Sequence, residues 1–268
     1  MPELRATFGF HVTPFTREIR AKDQFALPFL DEALAGIRRA VEQRMSCAVI
    51  GPAGTGKTAV LRRLCDDLPD ARYHVHYVKV TGLSKRDMCR EIAVACGAVP
   101  AGSYPMLVRR LQERFETVAE SEGRRPVLLL DESHDLRPDV LGMLRVLTNF
   151  EMDSRLVLSL VLAGQTSLKQ LLSRDDQEAV ARRLVFYAQL RLLSREEVEA
   201  YVAHRCAIAG CAHVPFDDRA LDALFEIGRG NLRSTDDLAL GALQHAADAS
   251  LATVSTQHII AARKDLWP

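Results

Sequence analysis

The sequence is poor in most features that would announce a partner. Its 35 Lys and Arg are balanced by 35 Asp and Glu. No global field therefore draws it to nucleic acid, and any such contact must come from local patches. No apolar run approaches the ~18 residues of a membrane span; the longest, 156–164, is strand-sized. The N-terminus lacks the apolar stretch of a signal peptide. The six cysteines form no Cys-x-x-Cys pair, so they read as small buried hydrophobes in a reducing compartment rather than as zinc ligands. Trp267 is the single tryptophan, so stacking platforms for bases are not evident. There is no internal repeat, low-complexity tract or long linker. These absences point to a cytoplasmic protein without a membrane partner.

What is present is a core and two motifs. An apolar fraction of 48% over 268 residues supports one large domain, or a core with a small appendage. Residues Gly51, Pro52, Ala53, Gly54, Thr55, Gly56, Lys57 and Thr58 have the G-x-x-x-x-G-K-[ST] spacing of a phosphate-binding loop. That spacing lets backbone amides and a helix N-terminus cradle a polyphosphate, with Lys57 on the β/γ-phosphates and Thr58 on Mg²⁺. The flanks agree: Ser46–Ile50 reads as a short apolar strand, and Ala59 onward reads as a helix. A nucleoside triphosphate ligand is predicted.

The second motif is Val127-Leu128-Leu129-Leu130-Asp131-Glu132, four large aliphatics ending in two carboxylates. It predicts a buried parallel strand. Asp131 is placed to hold the Mg²⁺ shell opposite Thr58, and Glu132 to polarise a water for attack on the γ-phosphate. A strand can also end in an acid merely to cap the next helix, but the pair beside a phosphate loop favours hydrolysis.

Strands are expected at 46–50, 73–80, 126–131, 156–163 and 185–190. Helices are expected at 28–44, 56–68, 85–96, 104–121, 138–149 and 167–172. The alternation implies a parallel sheet covered on both faces. After 190 the strands stop. Ser194 with Glu196 and Glu197 reads as a helix start, and four helices follow, to about 209, then 217–227, 232–250 and 255–266. The expected division is 1–191, an N-terminal segment with an α/β nucleotide domain, and 192–268, a helical lid.

This plan resembles the AAA+ ATPases, α/β proteins with a five-stranded parallel sheet and a helical lid. The resemblance implies further roles. Gln165, after the fourth strand, stands where the family carries sensor 1; the bland alternative is a polar turn residue. Arg182 and Arg183, before the fifth strand, stand where an arginine finger reaches the neighbouring subunit's γ-phosphate, or they form an ordinary solvated helix end. Arg233 is placed like the sensor-2 arginine, although Asn231-Leu232 departs from the usual Gly-x-Pro order.

A narrower resemblance rests on Phe8-Gly9-Phe10-(x)3-Pro14-Phe15, the phosphate loop, Leu130-Asp131-Glu132-Ser133-His134 and Ala163-Gly164-Gln165. It extends to Arg183 before a strand and to Leu193-Ser194-(x)2-Glu197-(x)3-Tyr201-(x)3-Arg205. Together these resemble the ExeA-like ATPases, which include TnsC/TniB-type regulators of DNA transposition. In that family the N-terminal phenylalanines pack near the base; here Phe8, Phe10 and Phe15 could wall the adenine or lie in the core. Secretion-type members carry a membrane span and a cell-wall-binding region after the ATPase. Their absence up to Pro268 favours the transposition branch as an expectation. That branch implies ATP and Mg²⁺ as cofactors, double-stranded DNA and a transposase or target-selection protein as partners, and self-association into a ring or helical filament. The ExeA-like secretion or protein-remodelling ATPase, or an ATP-binding switch, remains the alternative. Lys79, Thr81, Lys85 and Arg86, around the loop after the second strand, are the candidates for phosphate contact with DNA. A solvated surface is the competing reading there, as it is for the pairs Arg109-Arg110 and Arg124-Arg125.

Overall fold

The computed structural model describes residues 2–16, 18–20 and 23–266; Trp267 lies outside them. The chain divides into two compact units. One holds Pro28–Pro52 and Lys57–Leu190; the other holds the residues up to Leu27, Ala53–Gly56 and those from Arg191 onward.

The first is the α/β unit. Its strands are β1 (Ser46–Ile50), β2 (Tyr73–Lys79), β3 (Arg125–Asp131), β4 (Ser159–Gly164) and β5 (Leu184–Gln189). All pairs are parallel, in the order β2-β3-β4-β1-β5. Its helices are α2 (Pro28–Glu42), α3 (Lys57–Asp67), α4 (Lys85–Cys96), α5 (Tyr104–Glu120), α6 (Pro138–Leu147), α7 (Thr166–Leu172) and α8 (Glu178–Ala181). Each crossover needs a covering helix, and both faces of the sheet are therefore apolar. Every residue of β1 and β4 is buried, as are the last six of β3. Leu128 and Leu130 are fully buried among Leu107, Leu111, Phe115 and Leu141, each such side chain stabilising the fold by roughly 1.5–3 kcal/mol. The order brings the C-terminal ends of β1, β4 and β3 side by side, with Ile50 paired to Gly164 and Leu130 to Leu162. In open α/β sheets that edge is where ligands bind.

The second unit contains α1 (Pro2–Phe8), α9 (Arg195–Ile208), α10 (Asp218–Gly228), α11 (Leu232–Asp248) and α12 (Thr256–Leu266). The segment up to Leu27, expected to accompany the α/β domain, groups with these helices instead. A buried polar network accounts for it. Arg205, on α9, is 4% exposed and donates to Thr16 O at 2.7 Å and Tyr201 Oη at 2.8 Å. It pairs with Asp236 at 3.3 Å, and Tyr201 donates to the same carboxylate at 2.7 Å. The Arg205 guanidinium also lies over the Phe15 ring, which meets Phe216 edge-on. Phe10 and Phe15 are buried core residues, while Phe8 is half-buried against Phe10. Ser194 and Glu197 form the reciprocal capping box of α9, so the spaced residues from Leu193 to Arg205 are largely a structural signature.

Among the described residues no helix is long and apolar enough to cross a membrane. All six cysteines are free; Cys47, Cys89, Cys96 and Cys206 are buried, and Cys65 and Cys211 half-buried.

One histidine of β2 carries a pH consequence. His76 is 5% exposed, its Nδ1 is 3.1 Å from Ala95 O, and His74 stacks on it at 4.2 Å. Burial first, then the charges of His74, Arg114 and Arg124, hold its pKa down at about 4; Glu122, on the far side of His74, bears on that ring in the opposite sense. Between pH 6.5 and 4 the unfolded chain therefore binds a proton that the folded chain refuses. Stability is expected to fall as pH drops through that window, by up to about 3 kcal/mol. Denaturant midpoints from pH 4 to 7 should be flatter in His76→Gln than in the parent.

Candidate nucleotide site

β1 ends at Ile50 and the chain turns through the phosphate loop into α3. Gly54 and Gly56 adopt φ of +72° and +93°, conformations that carry no Cβ penalty only in glycine. Lys57, buried at the start of α3, donates Nζ to Gly51 O at 3.0 Å and Pro52 O at 2.8 Å. Its ammonium is thus curled over the loop. Thr58 Oγ1 donates to Asp131 Oδ2 at 2.8 Å, linking α3 to the end of β3. Ala59, next in α3, is half-buried.

Asp131 is 3% exposed and well satisfied. Its Oδ2 also accepts from Tyr77 Oη at 3.1 Å, and its Oδ1 from the Glu132 amide at 2.9 Å. Burial and the Asp131 charge push the Tyr77 phenol up to about 12, which keeps it a proton donor. Glu132 has φ +55°, a left-handed conformation that costs a non-glycine residue of order 1–2 kcal/mol. That turn swings the Glu132 side chain off the buried strand, leaving it 34% exposed. Strain at such a residue is a pointer to function.

β4 ends at Gly164, and Gln165 follows as the N-cap residue of α7 without a capping side-chain bond. Gln165 Nε2 instead lies 2.8 Å from His134 Nε2. Lys57, Thr58, Asp131, Glu132 and Gln165 are therefore gathered on one edge of the sheet.

The arginines differ from one another. Arg182 is 77% exposed and pairs with Glu178 one helical turn back. Arg183 is 27% exposed and pairs with Asp153, which takes the same guanidinium nitrogen with both oxygens at 2.7 and 2.6 Å. Asp153 sits in a turn where Glu151, Met152 and Asp153 all have positive φ, and Met152 is 95% exposed. Arg233 is exposed in the first turn of α11.

Asn231, the residue that departs from the family order, does two jobs within the unit that includes residues 53–56. Its oxygen caps α11 by accepting from Ser234 N, and its nitrogen donates to Ala53 O at 2.6 Å. A Cβ on Gly54 would lie 2.1 Å from Asn231 Oδ1, so glycine is required here by close approach as well as by φ. In the sequence Asn231 shows only as a departure from the family order. His134, Tyr77 and Asp153 carry no local signal; their roles come from strand adjacency and loop return.

Among the DNA candidates, Lys79, Thr81 and Arg86 are exposed and Lys85 is half-buried. Lys79 pairs in register with Asp131, and Ser84 caps α4 by accepting from Asp87 N. Arg86 donates to Gly102 O at 3.1 Å. The other basic pairs are engaged: Arg109 with Glu113, Arg110 with Ala101 O, Arg124 with Glu122 and Arg125 with Glu42 O. They are surface and structural groups.

Residues 38–172, half of the chain, match the family model described as an AAA domain. The chain belongs to the AAA family. It is accordingly an ATPase. A curated relative, general secretion pathway protein A of Aeromonas hydrophila, is 31% identical over 229 residues. That alignment takes in 83% of this chain and 41% of the relative, so the AAA protein spans about two fifths of that relative's length. Solved structures share the fold. Cdc6p of Pyrobaculum aerophilum superposes with a TM-score of 0.74 at 18% identity, covering 94% of this chain and 70% of that one. Orc1 of Aeropyrum pernix, solved in complex with DNA, gives 0.70 at 19% identity, with 94% and 68% covered. The RuvB Holliday junction branch migration motor of Thermotoga maritima gives 0.61 at 17%, with 90% and 70% covered.

Proposed function

We propose that this AAA ATPase assembles with ATP on double-stranded DNA, as a ring or helical filament, and regulates a transposase through target selection or recruitment. Hydrolysis occurs at interfaces between its copies. The observation that carries the DNA reading is the end of β2. Lys79 stands in register with Asp131, and Thr81 and Arg86 are exposed in the segment that follows. A phosphate contact there is one strand away from the acidic pair, close enough for DNA to bias the chemistry. The AAA fold of Orc1, solved in complex with DNA, supports the same reading.

The site residues divide the chemistry among them. Thr58 and Asp131 meet at 2.8 Å as an all-oxygen pair, the ligand type a hard cation prefers. They would hold Mg²⁺, which supplies charge neutralisation on the phosphates. Lys57 exchanges its two carbonyl partners for the β- and γ-phosphate oxygens. Gln165 orients the water, and Glu132 accepts its proton as it attacks in line. Arg183 of an adjacent copy stabilises the charge that develops on the γ-phosphoryl group.

The 31% identity to a secretion-pathway protein favours a second reading, an ATPase that remodels protein in a secretion apparatus. Duplex binding separates the two. With a slowly hydrolysed ATP analogue, affinity for unrelated duplexes should be similar and log affinity should fall linearly with log salt. The double variant Lys85→Ala, Arg86→Ala should weaken binding about equally on every sequence, because phosphates rather than base edges are touched. An assembled array sums a few contacts per copy, so binding without nucleotide should be far weaker. No duplex binding at low salt and micromolar protein would decide for the secretion reading.

A further inference from the structure

His134 lies in the single 3₁₀ turn Ser133–Asp135 that follows the acidic pair. Its side chain is 14% exposed. Nε2 faces Gln165 Nε2 at 2.8 Å and lies 3.7 Å from Asp135 Oδ1. Nδ1 is buried without a hydrogen-bond partner, 3.4 Å from Glu132 Oε2. With the Gln165 amide nitrogen turned to the ring as it is here, the ring nitrogen facing it accepts. This assigns the neutral ring proton to Nδ1, the nitrogen directed at Glu132.

Two further facts make this more than a chance approach. The His134 turn is seated directly on β4: a Cβ on Gly164 would lie 2.9 Å from the His134 backbone nitrogen. No side chain fits between them, so the spacing of His134 and Gln165 is fixed by backbone contact. In addition, a buried donor without a partner costs about 1–3 kcal/mol. The Glu132 carboxylate oxygen lies 3.4 Å from that donor, and a small rotation of its side chain would close the gap.

We infer that His134 is a positioning residue that ties Gln165 to Glu132. One ring nitrogen holds the Gln165 amide and the other receives the Glu132 carboxylate. The group that orients the water and the group that takes its proton are thereby set as one constellation. This rests on the reading of Glu132 as the base; His134 itself neither touches the water nor gains or loses a proton.

The test is steady-state ATP hydrolysis, with affinity for a slowly hydrolysed ATP analogue measured in parallel, for His134→Ala, His134→Asn, Gln165→Ala and the double variant His134→Ala, Gln165→Ala. His134→Ala should lower kcat by ~10- to 10²-fold, the scale of misplacing a reacting group by about 1 Å. KM and analogue affinity should stay within about twofold, a split expected when only transition-state positioning is lost. His134→Asn keeps a donor near the Nδ1 position and should recover a large part of kcat. The double variant should be no slower than the slower single variant, because both act through one unit. Multiplying losses in the double variant, equal losses in the Asn and Ala variants, or an unchanged kcat would overturn the assignment. Glu132→Gln separates the two readings. If it leaves turnover intact, the base assignment fails. If it abolishes turnover while the histidine and glutamine losses multiply, only the His134 inference fails.

Discussion

Glu132→Gln is expected to lower ATP turnover by ~10² or more while nucleotide affinity stays near that of the parent. The replacement keeps the shape and the left-handed backbone but removes the proton acceptor, and loss of a general base costs about that much. Binding should be unaffected, because on the proposed reading the phosphates are held elsewhere, by the loop and by Lys57. Lys57→Ala should behave in the opposite way. It removes the one buried ammonium of the loop, so affinity itself should collapse and turnover with it. Phosphate release, with titration of a slowly hydrolysed analogue, reads both quantities. Equal turnover in Glu132→Gln and the parent would sink the assignment.

Arg183→Ala should produce a still larger loss, on the order of 10³-fold in turnover per subunit, the lower part of the range for an arginine finger. The loss should be seen only where copies of the chain meet. Its pairing with Asp153 does not argue against this role. Asp153 is about half exposed, and an ion pair of that kind is worth ~0–1 kcal/mol, far less than a guanidinium gains on a γ-phosphoryl group. Arg183 is favoured over Arg182, whose exposed pair with Glu178 follows the ordinary i, i+4 geometry of a helix surface. Parent turnover per subunit should rise with protein concentration until assembly is complete. Mixing Arg183→Ala with Glu132→Gln subunits should restore some hydrolysis, since some interfaces then join two intact halves. Turnover that ignores concentration, with no recovery in mixtures, would mean a self-sufficient monomer.

The parts of the site that could be read from sequence are those encoded by contiguous residues. A strand, a glycine loop and a helix in succession specify the phosphate loop, and four aliphatics followed by two acids specify β3 and its end. All five strands are in the expected places, with one instructive difference. β4 was expected from 156 but begins at Ser159. Leu156 is exposed, whereas Val157 and Leu158 are buried without joining the ladder, so an apolar run reported burial rather than pairing. Helices α1 and α8 are not among those expected; α8, with four residues, is too short to show a period.

The grouping of the N-terminal segment with the later helices was equally illegible, because Arg205 and Thr16 meet across 189 positions. His134 stands within the motif from Leu130 to His134, where sequence alone assigns it no task. Only the adjacency of β3 and β4 brings it against Gln165, and adjacency of strands is not written in either one. Asn231 read as a mere departure from the family order until its approach to Ala53 was visible.

The cysteines have a practical consequence for watching this molecule at work. Burial raises the thiols of Cys47, Cys89, Cys96 and Cys206 to about 12, and alkylating dyes attack only the thiolate. At neutral pH those four are dark. Cys65 and Cys211 are half-buried and are the thiols to replace by serine. On that background a single dye-bearing cysteine at position 152, where the native side chain is 95% exposed, would stand next to Asp153 and Arg183. Its fluorescence would test whether a neighbouring copy arrives there, in real time and without reference to turnover.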